Sequence, residues 1–99
     1  MNATHKHEVF EQIARAIGAA PEVSKIVVFG SFLNSETPND IDIAVFQESK
    51  ESYLPLALKY RRLAKTTAVH LPMDIIPLKP GAAGQFVDEI NKGRVIYER

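Results

Sequence analysis

The chain of 99 residues contains no cysteine. That excludes a disulfide framework and any thiolate metal site. It carries no excess of either charge sign, because 12 Lys and Arg balance 12 Asp and Glu. Bulk electrostatics therefore give no drive toward nucleic acid or an anionic membrane surface. No apolar run approaches the roughly 18 residues of a membrane span. The opening MNATHKHEVFEQ lacks the apolar core of a secretion signal. A cytoplasmic protein is the expectation. No repeat or low-complexity tract is present. His5, His7 and His70 lack a spacing that would set two nitrogens on one metal, so they are expected to be solvated or satisfied. The two common phosphate fingerprints, GxxxxGK[ST] and G-x-G-x-x-G, are missing as well.

What is present is the composition of an ordinary globular domain, 45% apolar and 24% charged. The length fits one domain spanning 1–99. Apolar residues at Val9, Phe10, Ile13, Ala14 and Ile17 have helical spacing, predicting a helix over about 5–17 that Gly18 and Pro21 end. Val23 to Phe29 is short and β-branched and reads as a buried strand. Ser31 to Ser35 can form one helical turn. Ile41, Ile43 and Val45 alternate with Asp40, Asp42 and Ala44, the period of a second strand. A long helix is predicted over 52–65, with Pro55 tolerable in its first turn. Val69 to Leu78 is a third strand with an irregular start at Pro72. A short helix over 84–92, with Phe86, Val87 and Ile90 inward, and a final strand RVIYE complete the chain. Phe29, Phe46 and Phe86 are expected in the core. Tyr53, Tyr60 and Tyr97 are expected at its edge. The alternation of types gives a mixed α/β (α+β) fold.

The informative stretch is VVFGSFLNSETPNDIDIAVF, Val27 to Phe46. Asp40 and Asp42 lie two apart on a strand and so face one side, opposite Ile41 and Ile43. Such close carboxylates raise each other's pKa unless a cation lies between them. A hard divalent cation with oxygen ligands resolves the conflict. Asp74, alone in the apolar LPMDIIPL, would join them if its strand pairs alongside. Three carboxylates can hold two metal ions, the arrangement of phosphoryl and nucleotidyl transfer. Taken alone, the Asp40–Asp42 pair reads equally well as turn acids facing water, and Asp74 alone reads more readily as a strand-end acid than as a ligand. Gly30-Ser31 follows a buried strand and opens a turn. Gly admits a ligand close to the backbone, and the first N–H groups of the turn, with the serine hydroxyl, suit phosphate. The basic residues of KYRRLAK (Lys59, Arg61, Arg62, Lys65) read as a solvated helix face, with docking of an acidic partner as the sharper alternative.

Gly-Ser, eight intervening residues, Asp-x-Asp and a lone Asp on a later strand are specific as a set. Through FGS, NDIDIAV, MDII and the closing EINKGRVIYER, the chain resembles the minimal nucleotidyltransferases of the DNA polymerase β superfamily over nearly its whole length. The resemblance implies the nucleotidyltransferase fold: a mixed sheet of about four strands with helices packed mainly on one face. It implies transfer of a nucleoside monophosphate, AMP from ATP, to an acceptor hydroxyl with two Mg²⁺ ions and release of pyrophosphate. On this basis Asp40, Asp42 and Asp74 are the catalytic metal ligands, and Gly30 and Ser31 hold the β- and γ-phosphates. The expected acceptor is a small helical HEPN-type protein, with this chain as antitoxin. A contact-only antitoxin, or a transferase acting on small molecules of the aminoglycoside class with a pocket completed by a homodimer, are the alternatives. The chain departs from the pattern in two respects: the spacer before the Asp pair is shorter than is often found in the family, and a cation is missing. Family members often carry Arg soon after Gly-Ser, where Phe32, Leu33 and Asn34 stand here. Lys25, Lys50 and Lys79 are the candidate replacements.

Overall fold

The computed structural model describes residues 1–99. Helix α1 spans Ala3–Gly18. It starts where Asn2 caps it, the side-chain oxygen accepting from the His5 N–H at 2.8 Å. Its stripe of Val9, Phe10, Ile13 and Ile17 is buried. Strand β1 is Val23–Phe29, followed by a 3-10 turn over Gly30–Leu33. Strand β2 is Ile41–Gln47, helix α2 Tyr53–Ala64 and strand β3 Met73–Leu78. Helix α3 is Gln85–Asn91 and strand β4 Arg94–Glu98.

The four strands form one sheet in the order β3-β2-β1-β4. β1 pairs antiparallel with β2 and with β4, whereas β2 and β3 run parallel. A parallel neighbour needs a crossover connection, and α2 supplies it. The mixed sheet with three helices is the expected fold class.

The larger apolar cluster joins Phe10, Ile13 and Ile17 of α1 and Leu56 and Tyr60 of α2 to Ile26, Val28, Ile41, Ile43 and Ile75 of the sheet. A smaller cluster on the reverse face joins Val27, Ala44 and Phe46 to Ile90 of α3. Two helices therefore cover one face and the short α3 covers part of the other. The central strands β1 and β2 are buried on both faces, which explains their near-continuous Val and Ile content.

Three expectations need correction. β3 begins at Met73, not Val69. Its first rung is the Ile41 N–H donating to the Pro72 carbonyl at 2.9 Å; before Ile41 the neighbouring chain is loop, so residues 69–71 have no strand to pair with. Phe86 is not core: it is 55% exposed. Only Val87 and Ile90 of α3 turn inward, and the Phe86 ring instead meets Phe29 edge-on at 6.1 Å. Tyr60 is fully buried in the larger cluster and not at its edge, because its hydroxyl finds a carboxylate partner there, in Glu22.

Candidate functional site

Strand pairing sets the site. On the reverse face of β2, Asp42 is level with Asp74 of β3 on one side and with Phe29 of β1 on the other. Neighbouring strands lie about 4.8 Å apart, so the two aspartates sit side by side at the N-terminal ends of parallel strands. Asp40 lies just before β2, two residues from Asp42. Asp40 and Asp42 are half-buried and Asp74 is exposed. Burial first, then the charges of Asp40 and Asp74, raise the Asp42 carboxyl above its ordinary value of 3.8. None of the three makes an ion pair, so no cation of the protein offsets their mutual repulsion.

The 3-10 turn closes the other side. Gly30 has φ of +80°, and a Cβ built there would lie 2.5 Å from Asp42 Oδ2. Both facts demand glycine. Its backbone passes directly against the carboxylate. Ser31 follows, exposed, its carbonyl accepting from the Asn34 and Ser35 N–H groups at 3.1 and 2.9 Å. The first N–H groups of such a turn have no partner within it.

No three His, Asp or Glu side chains stand close enough together to hold one metal ion as a cage. The donor set still suits Mg²⁺, which is commonly bound through one or two carboxylates plus substrate phosphate oxygens. Asp42 is the acid on which both neighbours act, and it would be the shared ligand.

Asp42 and Asp74 open into a cleft of about 410 Å³ that Phe29, Tyr53, Leu54, Arg61 and Phe86 also line. Arg61, one of the basic residues of KYRRLAK read as a solvated face or a dock for an acidic partner, is the one cation in that lining. It belongs to the last turn of α2, is exposed, and forms no ion pair although it shares the cleft with two carboxylates. The expected cationic replacements are elsewhere. Lys25 lies over the Phe46 ring at 4.6 Å, at the far end of β1 from Gly30. Lys79 donates to the Ser49 carbonyl beyond the C-terminal end of β3. Lys50 is exposed in the same β2–α2 loop and lines no part of the cleft. Of the other basic residues in KYRRLAK, Lys59 is bound to Glu22 at 2.9 Å. The Tyr60 hydroxyl donates to the same Glu22 carboxylate at 2.7 Å. The histidines stay out of the site; His7 faces Glu11 at 2.8 Å on α1.

A second groove of about 420 Å³ lies between α1 and β4, but Glu11 is the one carboxylate in it. No helix is long and apolar enough to cross a membrane.

No curated protein matches the chain by sequence. Among solved structures, the crystal structure of the toxin-antitoxin MntA-HepT is similar, with a TM-score of 0.65 and 21% identity, covering 92% of this chain and 71% of that one. At that identity the likeness is one of fold. Residues 11–99 match the family described as "Polymerase beta, Nucleotidyltransferase", and the chain belongs to that family.

Proposed function

We propose that the protein is a Mg²⁺-dependent nucleotidyltransferase that moves AMP from ATP to a hydroxyl on a helical partner protein, as the antitoxin of a toxin–antitoxin pair. The observation that carries the reading is the side-by-side placement of Asp42 and Asp74, with Gly30 pressed against the Asp42 carboxylate. The similar fold in the MntA-HepT toxin-antitoxin supports the choice of partner class.

In this reading Gly30 and the exposed Ser31 hold the β- and γ-phosphates against the end of β1. Asp40 and Asp42 would hold Mg²⁺, and Asp74 would stand as a ligand on the acceptor side. Bound Mg²⁺ supplies charge neutralisation at the phosphates and acidifies the attacking hydroxyl. The acceptor oxygen forms a bond to the α-phosphorus as the bond to the bridging oxygen breaks. Pyrophosphate leaves along the Gly30–Ser31 turn, and the hydroxyl proton passes to solvent by way of Asp74.

The test is incubation of the protein and its co-purified partner with Mg²⁺ and α-labelled ATP. Label on the partner that disappears with Asp42→Asn is the expected result. An unlabelled partner with all four nucleotides would sink the proposal. The absence of a three-carboxylate cage favours a second reading, an antitoxin that neutralises by contact alone. Neutralisation that survives Asp40→Ala with Asp42→Ala would select it.

A further inference from the structure

We infer that the cleft between α2, β3 and α3 is the acceptor side of the site, and that it takes a hydroxyl-bearing segment of a partner protein that is apolar and acid-flanked, with Arg61 reading the acid. The inference rests on the nucleotidyltransferase reading and adds to it the direction of approach and the character of the acceptor.

Direction follows from the sheet order. Gly30 extends β1 and Asp74 belongs to β3, and these strands lie on opposite sides of β2 and its Asp42. In a phosphoryl displacement the entering and leaving oxygens lie roughly in line. If pyrophosphate departs toward Gly30, the hydroxyl enters from the β3 side. The cleft shared by Asp42 and Asp74 runs from Phe29 and Phe86 on the β1 side to Tyr53, Leu54 and Arg61 of α2, and its α2 end lies toward the sheet edge where β3 has no further neighbour.

The character of the acceptor follows from the lining. Tyr53 is 56% exposed, Leu54 65% and Phe86 55%, and all three line this cleft. Leu58, one turn beyond Leu54 on α2, is 46% exposed. Four of the six large apolar side chains that the protein exposes are therefore Tyr53, Leu54, Leu58 and Phe86, in or beside one cleft. Such concentration marks a surface made to be covered. Toward the C-terminal end of α2 the charge is of one sign: Arg61, in the cleft lining, and Arg62 and Lys65 beyond it are exposed and form no ion pair. An apolar patch ending in unpaired cations complements an apolar segment carrying carboxylates. A small hydrophilic acceptor would leave this patch bare.

The experiment uses the full chain with Mg²⁺, α-labelled ATP and peptides that present serine, threonine or tyrosine between leucines, flanked by glutamates or by lysines. Mg²⁺–ATP-induced thermal stabilisation is measured in parallel. Wild-type protein is expected to label glutamate-flanked peptides preferentially. Arg61→Glu should lower that labelling by about tenfold, the size of exchanging a weak attraction for a weak repulsion. It should raise labelling of lysine-flanked peptides and leave the Mg²⁺–ATP stabilisation unchanged. Leu54→Glu should lower labelling of the glutamate-flanked set in the same way. Unchanged labelling in both variants overturns the inference. So does equal loss of nucleotide stabilisation in Arg61→Glu, which would assign Arg61 to ATP. Normal nucleotide stabilisation with no peptide labelled also overturns it, while the nucleotide reading stands. No stabilisation of the wild type by Mg²⁺–ATP removes the nucleotide reading, and this inference with it.

Discussion

Asp42→Asn should make the metal-free protein more stable, although it removes the central acid of the site. Asp42 is half-buried, forms no ion pair, and is pushed up in pKa by burial and by Asp40 and Asp74. The sign follows from linkage. A carboxyl with a raised folded-state pKa binds more protons folded than unfolded. The native state is then favoured as pH falls through the raised value toward the ordinary 3.8, and penalised above it. At neutral pH the charge on Asp42 is a cost that asparagine does not carry. Two unit charges about 5 Å apart interact by about 1 kcal/mol when solvent screens them well. Asp74, one strand away, contributes a repulsion of that order before further screening by salt. For a domain of this size a change of about 1 kcal/mol shifts Tm by about 4–8 °C. Thermal unfolding at pH 7 in EDTA should show a gain in that range or somewhat below. Added Mg²⁺ should stabilise the wild type and do little for Asp42→Asn, so the two curves converge. A variant less stable than wild type in EDTA, or one that gains equally from Mg²⁺, would refute the account of Asp42 as an uncompensated charge awaiting a cation.

Three further substitutions probe the frame that holds this acid. Gly30→Ala should cost about 1 kcal/mol from positive φ alone, and more because its Cβ would meet Asp42 Oδ2; chemical denaturation measures the loss, and labelling activity should fall with it. Gly93→Ala should destabilise by about 1–3 kcal/mol through overpacking, since a Cβ there would stand 2.4 Å from the Val28 carbonyl oxygen and 2.9 Å from Phe29 Cβ; an unchanged denaturation midpoint would contradict this. Tyr60→Phe removes a donor to the Glu22 carboxylate and should cost about 1–3 kcal/mol. Burial pushes Glu22 up, but the hydrogen bonds from Tyr60 and Lys59 outweigh it and hold its pKa below the usual 4.5. The stability this gives is present above 4.5 and lost as pH falls through the lower folded value. The penalty of Tyr60→Phe should therefore shrink in unfolding measured from about pH 6 toward about pH 3.

The strands and long helices were legible because periodicity alone describes them. Val23–Phe29 and Arg94–Glu98 lie where their residue types put them, and the stripe of α1 is the one its spacing predicts. The three acids could be named, since an acid among isoleucines stands out in any sequence. Their mutual placement could not, because the register between β2 and β3 is fixed by packing across a crossover and not by spacing along the chain. A helix of seven residues gave too few turns for the inward stripe of α3 to separate Phe86 from Val87 and Ile90.

Arg61 was legible only as one of four basic residues on a helix face. On α2 it falls outside the buried stripe of Leu56, Tyr60 and Ala64, and from sequence the KYRRLAK cluster reads as a solvated face or a dock for an acidic partner without saying which of its residues reaches the site. A helix that crosses from one strand to its parallel neighbour has an outer face that is partly solvent and partly the rim of whatever opens beside the second strand. Which residues take which part depends on where the crossover lands. Here it lands so that Tyr53, Leu54 and Arg61 border the mouth beside Asp74. The same connection that makes β3 parallel to β2, and so brings Asp74 level with Asp42, also carries a cation and an apolar patch to the side from which a hydroxyl would enter. A cation immediately after Gly-Ser would stand on the phosphate side of Asp42. Arg61 stands on the opposite side, so it is better placed to select the acceptor than to replace that missing contact, and this is why its variant should separate acceptor labelling from ATP binding.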